Sequence, residues 1–547
     1  FDDSLQIFYK KNILKKKKSL NFLNNKRKLE KYYKLSLKYY KKYIKIISFE
    51  LNKNLNLNYS EKYWEVILGY WLIKFIQSIY PLYLQKKNLL KNYEIEKIYF
   101  SKKNSDILIS KNFSEFTKKS SRKEWFNQII KIIFKKKYAF SNKNKYYFKK
   151  RVNLSKNFIK FIYEFLYLIM PRSFFSVICL DSNIYFPQKN KFKTNIMDNI
   201  MANLRYYFQK NSFPILLDNK NNYQDFSLKD YDLQLRKKLF SNNNSKDDFE
   251  LILQECIKYS IPTDFLEGFV DIKKIFGIPK NVSKIYNIGP NLGEKPLINW
   301  IAYNIEKKKT KLFLHQVGGL YGTAQCNISE YYDLRVADKF YSWGGFYQSD
   351  KIIKKKSIYL NFLRKKIKKN KQQKNILIVC ANLNHNYKDL SSRLQPSDNH
   401  IYVQNIVLLI KEIINNNLKN LKIKNYPHPV NNILINEIKK IKKNIFTDSN
   451  FYDAINDSKL VISTYNSTTF LELISINKPC LIFWDENHWP LNKESKKFFL
   501  NLKKKGIFHT KIDTLIKKIL DISSNPSNWW NRKDIQSTLY NFKKNYC

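Results

Sequence analysis

The stretch Ser463–Glu472, STYNSTTFLE, runs hydroxyl and amide side chains into the start of an apolar helical pattern. Small polar residues at a helix N-terminus satisfy backbone N–H groups that lack partners inside the helix. The same amides, with the helix dipole, bind phosphate. Glu472 lies one turn into that helix, where a carboxylate can accept from ribose hydroxyls. Two readings stay open: a plain cap with Glu472 as a helical charge, or a phosphate and ribose site. Tyr426–Pro429, YPHP, holds His428 in a stiff loop after an apolar run. His428 there can hydrogen-bond a phosphate oxygen or simply belong to a surface turn. His315–Gly322, HQVGGLYG, offers Gln316, Gly318, Gly319, Tyr321 and Gly322 as a loop. Its paired glycines permit close approach of backbone to a ligand, or a tight turn at positive φ. The spacing matches neither the Walker nor the GxGxxG pattern. The carboxylates Glu267, Glu330, Asp333 and Asp338 are where a general base for hydroxyl attack would be sought, and the sequence does not rank them.

These motifs need elements to hold them. Residues 1–60 lack Gly and Pro and read as long helices. Ser60–Leu72, SEKYWEVILGYWL, opens on a capping serine, and its two tryptophans suit a helix core. Ile95–Phe100, Asp106–Ile109 and Phe174–Leu180 read as strands, and residues 190–260 as polar and helical. From residue 261, strand and helix patterns alternate: Ile285–Ile288, Pro296–Glu306, then Lys311–Leu314 running into the glycine loop. A second series opens at Asn375–Cys380, NILIVC, and continues through Val403–Ile414, Leu421–Asn425, Asn431–Lys442, Leu460–Ser463, Thr468–Ile476 and Cys480–Phe483. Such alternation predicts parallel sheets in an α/β fold. The expected layout is a helical region at 1–80, an α/β domain at 81–348, and a basic linker at 349–374. A second α/β domain at 375–500 and C-terminal helices at 501–547 complete it. Two Rossmann-like domains facing a cleft, with helical additions at both ends, would place ligands at the carboxyl ends of strands.

Composition narrows the classes. With 547 residues the chain exceeds one core, and 44% hydrophobic residues argue against disorder throughout. The net charge of +55 could signal a polyanion partner. Lys, Asn, Ile, Tyr and Phe dominate along the whole chain while Gly and Ala are scarce, which codon bias toward A/T explains without a nucleic-acid partner. Affinity for anionic lipid head groups still follows from the charge. The six cysteines are scattered, with no metal-ligand spacing, as for reduced thiols in a cytoplasmic protein. No apolar run reaches the ~20 residues of a membrane span, and no signal peptide opens the chain. The first residue is Phe, so the natural start is expected to lie upstream.

Taken in order, several segments resemble the leptospiral-type transferase family of surface-polysaccharide gene clusters. That family is distant kin of CDP-glycerol glycerophosphotransferases and Kdo-type capsule transferases. The segments are SEKYWEVILGYWL (60–72), FLEGF (265–269), QVGGLYG (316–322), DLRVADKFYSWGG (333–345), STYNSTTFLELISINKPCLIFWD (463–485), GIFHT (506–510) and the paired Trp529–Trp530. The resemblance implies a GT-B-like fold and metal-independent transfer from a nucleotide-activated donor, with no separate cofactor. By motif match, His428, Ser463, Asn466, Ser467, Thr468, Thr469 and Glu472 would line the donor's phosphates and ribose. The chain departs from the family at Val317, where a histidine is usual, at Asp333, where Glu is favoured, and at WGG (343–345), where WGW is usual. His315 stands two residues before Val317, on the same face of a strand, and could partly substitute. The catalytic candidates are therefore His315, Glu267 and Asp333.

The expected function is transfer of a glycosyl or glycerophosphate-type group to a polysaccharide or lipid-linked acceptor. The expected location is the cytoplasm, with peripheral contact at an anionic membrane and no specific nucleic acid. Two alternatives remain: a basic protein binding anionic polymer without catalysis, and a nucleotide-sugar epimerase, against which the six histidines argue mildly.

Overall fold

The computed structural model describes residues 5–9, 26–92, 95–100, 105–134, 175–180, 213–218, 231–241, 245–269, 282–287, 297–345, 349–357, 360–361, 363–364, 373–383, 390–418, 420–425 and 432–547. The chain divides into two compact units. The first comprises Phe1–Leu20, Lys34–Val317 and Ile328–Phe340; the second comprises Asn21–Tyr33, Gly318–Asn327 and Tyr341–Cys547.

In the first unit, β1 (Leu5–Tyr9) pairs antiparallel with β2 (Ile95–Phe100). Most of α1 (Lys26–Leu55) and all of α2 (Glu61–Asn92) belong here. Ser60 Oγ accepts the Tyr63 N–H, so the expected capping serine opens α2. Residues 63–73 of α2 are buried throughout, the mark of a helix enclosed on all sides. Trp71 stacks on Phe75 and Trp64 meets Tyr63 edge-on, so both tryptophans are core. Around α2 pack α4 (Lys123–Ile133), which follows α3 (Phe113–Lys119), and α6 (Asp248–Ser260), which follows α5 (Leu233–Lys238). Two further helices, α7 (Leu297–Lys308) and α8 (Ile328–Val336), also lie against it. Among these helices, Glu65 accepts hydrogen bonds from the Tyr40 hydroxyl (2.8 Å) and the Arg335 guanidinium (2.5 Å).

The sheet of this unit is parallel through β3 (Phe175–Leu180), β4 (Phe213–Asp218), β5 (Lys284–Asn287) and β6 (Lys311–His315). Its order is β4-β3-β5-β6-β7, where β7 is Lys339–Ser342. Three sequence expectations change. Leu5–Tyr9, inside residues 1–60 read as long helices, is a strand, held by its antiparallel pairing with β2. Asp106–Ile109 is not a strand; Ser105–Leu108 forms a 3-10 turn leading to Asn112, which caps α3. Phe213–Asp218, inside a stretch read as helical, is a strand. Its sequence FPILLD is a short apolar run with a proline, tolerated because β4 is the sheet's edge. Within β7 the chain passes into the second unit, where β8 (Ile352–Lys354) follows.

The second unit carries its own parallel sheet of β9 (Asn375–Val379), β10 (Leu421–Lys424), β11 (Ser458–Ser463), β12 (Cys480–Phe483) and β13 (Phe508–His509), ordered β10-β9-β11-β12-β13. Its central strands carry short continuous apolar runs, ILIV in β9, LVI in β11 and CLIF in β12, as burial on both faces requires, whereas the edge strand β10, LKIK, alternates. The crossovers carry α9 (Asn399–Asn415), α10 (Asn432–Ile441), α11 (Phe451–Asn456), α12 (Thr468–Ser475) and α13 (Lys493–Lys504). Three helices close the chain: α14 (Ile512–Ile522), α15 (Pro526–Trp530) and α16 (Lys533–Tyr546). Trp484, Phe470, Phe499 and Phe542 tie β12, α12, α13 and α16 into one core. Both sheets are thus Rossmann-like. Among the described residues, no helix is long and apolar enough to cross a membrane.

Candidate functional site

In the second sheet, β9 leads outward to β10, and the chain then returns to place β11 on the other side of β9. Connections diverge at such a reversal and leave a crevice at the carboxyl ends of the two strands. Ser463, the last residue of β11, is in register with Val379, the last of β9. The turn that follows is clamped across this gap. Both the backbone N–H (3.2 Å) and the hydroxyl (2.8 Å) of Thr464 donate to the Val379 carbonyl. The Tyr402 hydroxyl of α9 lies 2.6 Å from Thr464 Oγ1 and accepts the Ala381 N–H at 2.7 Å. Because the single hydroxyl hydrogen of Thr464 goes to Val379, Tyr402 must donate to Thr464. The result is a buried one-way series: Ala381 N–H, Tyr402 O–H, Thr464 O–H, Val379 carbonyl. Burial holds the Tyr402 phenol well above its ordinary range, so it keeps the proton this series needs.

Ser467 is the N-cap of α12, in extended conformation, and its side chain makes no capping bond. Thr469 Oγ1 is 2.8 Å from the Tyr465 hydroxyl, and Glu472 is buried. The glycine loop lies over this helix start, within the same unit. Gly319 N–H donates to Thr468 Oγ1 at 3.1 Å. A Cβ on Gly319 would come within 2.4 Å of the Ser467 carbonyl oxygen, so only glycine fits there. Gly322 has φ +69°, the tight-turn role that the sequence also allowed. Thr323 donates from Oγ1 to the Gly319 carbonyl (2.8 Å) and accepts from Asn466 Nδ2 (3.5 Å). Asn492 Nδ2 donates to the Gly322 carbonyl and Ser495 Oγ to the Thr323 carbonyl. The loop is therefore stapled to the carboxyl-end loops of the sheet along most of its length.

Two atoms in this well-bonded turn stand out. Ser463 Oγ and Asn466 Oδ1 are buried, on residues 0% and 1% exposed, and neither has a hydrogen-bond partner among the described residues. Buried polar atoms are almost always paired, so such groups call for an explanation.

Of the donor-side residues expected from sequence, Ser463, Asn466, Ser467, Thr468, Thr469 and Glu472 share this strand–turn–helix. Gly318, Gly319, Tyr321 and Gly322 join them in the second unit, while His315 ends β6 and Gln316 follows it in the first. His428 lies outside the described residues. Asp333 is buried on α8, and Glu330 is half-buried in its first turn. Asp338 accepts the Leu312 N–H at 2.7 Å. Glu267 forms a buried ion pair with Arg236, at 2.5 Å to Nε and 2.9 Å to Nη2, and also accepts the Asp232 N–H. Arg236 donates further to the Lys258 and Ile261 carbonyls, so both charges are well satisfied. Sequence reasoning missed Tyr402, Thr323 and a buried pair, His488 Nε2 with Asp398 Oδ2 at 3.9 Å. The signal for His488 was its place just beyond β12, at the same sheet edge. Among the described residues, no group of three or more His, Cys, Asp or Glu is placed to hold a metal ion.

Comparison with curated proteins by sequence gives no match. Among solved structures, the chain is similar to S. aureus MnaA with UDP, at 10% identity and TM-score 0.33, over 67% of this chain and 92% of that one. It is similar to the wall teichoic acid polymerase TagF at 11% identity and TM-score 0.32, over 69% and 85%. It is also similar to Acinetobacter baumannii MurG at 11% identity and TM-score 0.30, over 68% and 98%. The model of one family, described as LIC12162 family transferase, matches residues 9–547, and with nearly the whole chain covered the protein belongs to that family of transferases.

Proposed function

We propose that the protein moves a glycosyl or glycerophosphate-type group from a nucleotide-activated donor to a surface-polysaccharide precursor, and that it binds the donor at the β11–α12 turn. The observation that carries the reading is the pair of unsatisfied buried atoms, Ser463 Oγ and Asn466 Oδ1, at the reversal point of a parallel sheet. Ser467, Thr468 and Thr469 set the first turn of α12, whose amides favour phosphate. Glu472 is the acceptor for a ribose hydroxyl, and His428 a second contact for phosphate. As the bond to the donor breaks, its electron pair passes to the leaving phosphate, and these dipoles offset the added charge without a metal ion. The attacking acceptor hydroxyl gives up its proton. His315, Glu267 and Asp333 are the candidates to accept that proton, Glu267 being held in an ion pair with Arg236. A polysaccharide or lipid-linked acceptor, a cytoplasmic location and contact with anionic lipid complete the proposal; the net charge of +55 favours the last.

The test is a donor screen by mass spectrometry, scoring release of free nucleotide in the presence of capsule-type acceptors. Calorimetry with nucleoside diphosphates and their sugar or glycerol derivatives runs alongside, on the parent chain and on Glu472→Ala and His428→Ala. Release, with binding weakened at least tenfold by both substitutions, supports the proposal. Absence of any nucleotide binding would sink it. Interconversion of a nucleotide sugar without release would favour an epimerase instead.

A further inference from the structure

The direction of each hydrogen bond around Asn466 restricts what can complete the turn. Thr323 Oγ1 spends its only hydrogen on the Gly319 carbonyl. Toward Asn466 it can therefore only accept, which fixes the amide with Nδ2 facing Thr323 and Oδ1 facing the other way. The reverse orientation would set two acceptors against each other. Oδ1 is buried and has no partner among the described residues, and an amide oxygen cannot donate. Whatever completes it must bring a hydrogen. A phosphate oxygen brings none at neutral pH and would meet Oδ1 as a second acceptor. Ser463 Oγ, three residues earlier at the end of β11, is also buried without a partner among the described residues and can accept or donate.

We infer that Ser463 and Asn466 recognise a hydroxyl group of the donor and not its phosphates. The inference rests on the donor-site reading and divides the turn by chemistry. Ser467 to Thr469 at the start of α12 serve the phosphates, while Ser463 and Asn466, nearer the strand, serve a hydroxyl. That hydroxyl belongs either to the ribose or to the transferred sugar or polyol. A site built to hydrogen-bond a hydroxyl rejects the analogue lacking it, because its own polar atoms are then left buried and unpaired.

The experiment uses the full chain. Calorimetry with UDP, CDP, GDP and ADP, and with UDP-glucose and CDP-glycerol, identifies what binds. The best binder is then compared with its 2′-deoxy and 3′-deoxy forms, and the group-bearing form with the bare diphosphate. The expected result is a loss of about tenfold or more when one hydroxyl is removed, with Asn466→Ala bringing that ratio close to one. Dependence on the 2′ or 3′ position assigns the ribose; dependence on the glucose or glycerol assigns the transferred group. Ser463→Ala, which removes an unpaired hydroxyl and leaves the fold's bonds intact, repeats the test should Asn466→Ala fold poorly. The inference is overturned if both variants weaken hydroxyl-bearing and hydroxyl-lacking ligands by one common factor, or leave all of them unchanged. If the parent chain binds no diphosphate or derivative, the donor-site reading falls first and takes this inference with it.

Discussion

The two sheets wind alike but spend their polar groups differently. Each runs outward by one strand and then reverses, at β3–β5 in the first unit and at β9–β11 in the second. In the first unit the carboxylates that could do chemistry are largely committed: Glu267 to Arg236, and Asp338 to the Leu312 N–H. In the second unit a dense set of neutral hydrogen bonds holds the turn, yet two of its atoms are left unspent. Unpaired atoms also occur in the helical layer of the first unit, at Ser110 Oγ and Ser260 Oγ, but those do not stand at a strand's carboxyl end. Charge in a sequence is thus a poor guide to chemistry once a partner can be recruited from another element. A buried neutral atom without a partner is more informative.

The largest effect expected is at Glu267. Glu267→Ala strands the buried Arg236 guanidinium and should cost roughly 3–5 kcal/mol of stability. Thermal unfolding measures it, and nucleotide affinity of the folded protein should stay unchanged. A lost affinity with unchanged stability would erase the contrast between the units.

Next comes a pH effect in the second unit. His509 is buried on β13, with Nε2 donating to the Gly506 carbonyl at 3.0 Å, and burial lowers it to about 4. An unfolded imidazole takes its proton near 6.5. Full stability is therefore present above pH 6.5 and is lost as pH falls toward 4, by roughly 3 kcal/mol in total. His509→Gln should flatten that part of the stability–pH curve, as followed by denaturant melts. An unchanged slope would rule the residue out as the source.

Gly319→Ala should cost about 1–3 kcal/mol, because the new methyl meets the Ser467 carbonyl and pushes the loop off α12. Nucleotide affinity should fall with it, and recovery of both by a compensating loop change would confirm the cause. The smallest stability effect belongs to Ser463→Ala. Removing a buried hydroxyl that makes no bond should shift stability by less than about 1 kcal/mol, in either direction. A large destabilisation would mean that the atom is spoken for, and the comparison would fail at its centre.

The fold was legible where burial alone dictates it. Asn375–Val379 and Leu460–Ser463 are apolar enough to be strands in any context, and the long apolar stretch of α2 could only be a core helix. It was illegible where pairing decides. Phe213–Asp218 becomes a strand because β3 lies beside it, and Asp106–Ile109 curls because three apolar residues after an aspartate, with no neighbouring strand among the described residues, gain little from extension. The candidate site was legible as far as local sequence reaches, from Ser463 to Glu472. Thr323 and Tyr402 were hidden because long-range packing brings them to the turn, and the pair of His488 with Asp398 because ninety residues of sequence separate its members. The glycine loop was legible as a place of close backbone approach, and at Gly319 the backbone approached is that of Ser467 at the start of α12.

That loop has a consequence for how the protein can be divided. The second unit is not one continuous length of chain: it takes Asn21–Tyr33 from near the start and Gly318–Asn327 from between β6 and α8, and α8 then returns to the first unit. No single cut separates the two. A fragment starting at Tyr341 would keep every strand of its sheet but lose the backbone that meets Thr468, Asn492 and Ser495. Exchange of the second unit between relatives would have to carry both short inserts with it. Lineages that recombine the two units should therefore show crossover points flanking 21–33 and 318–327, and one more within β7.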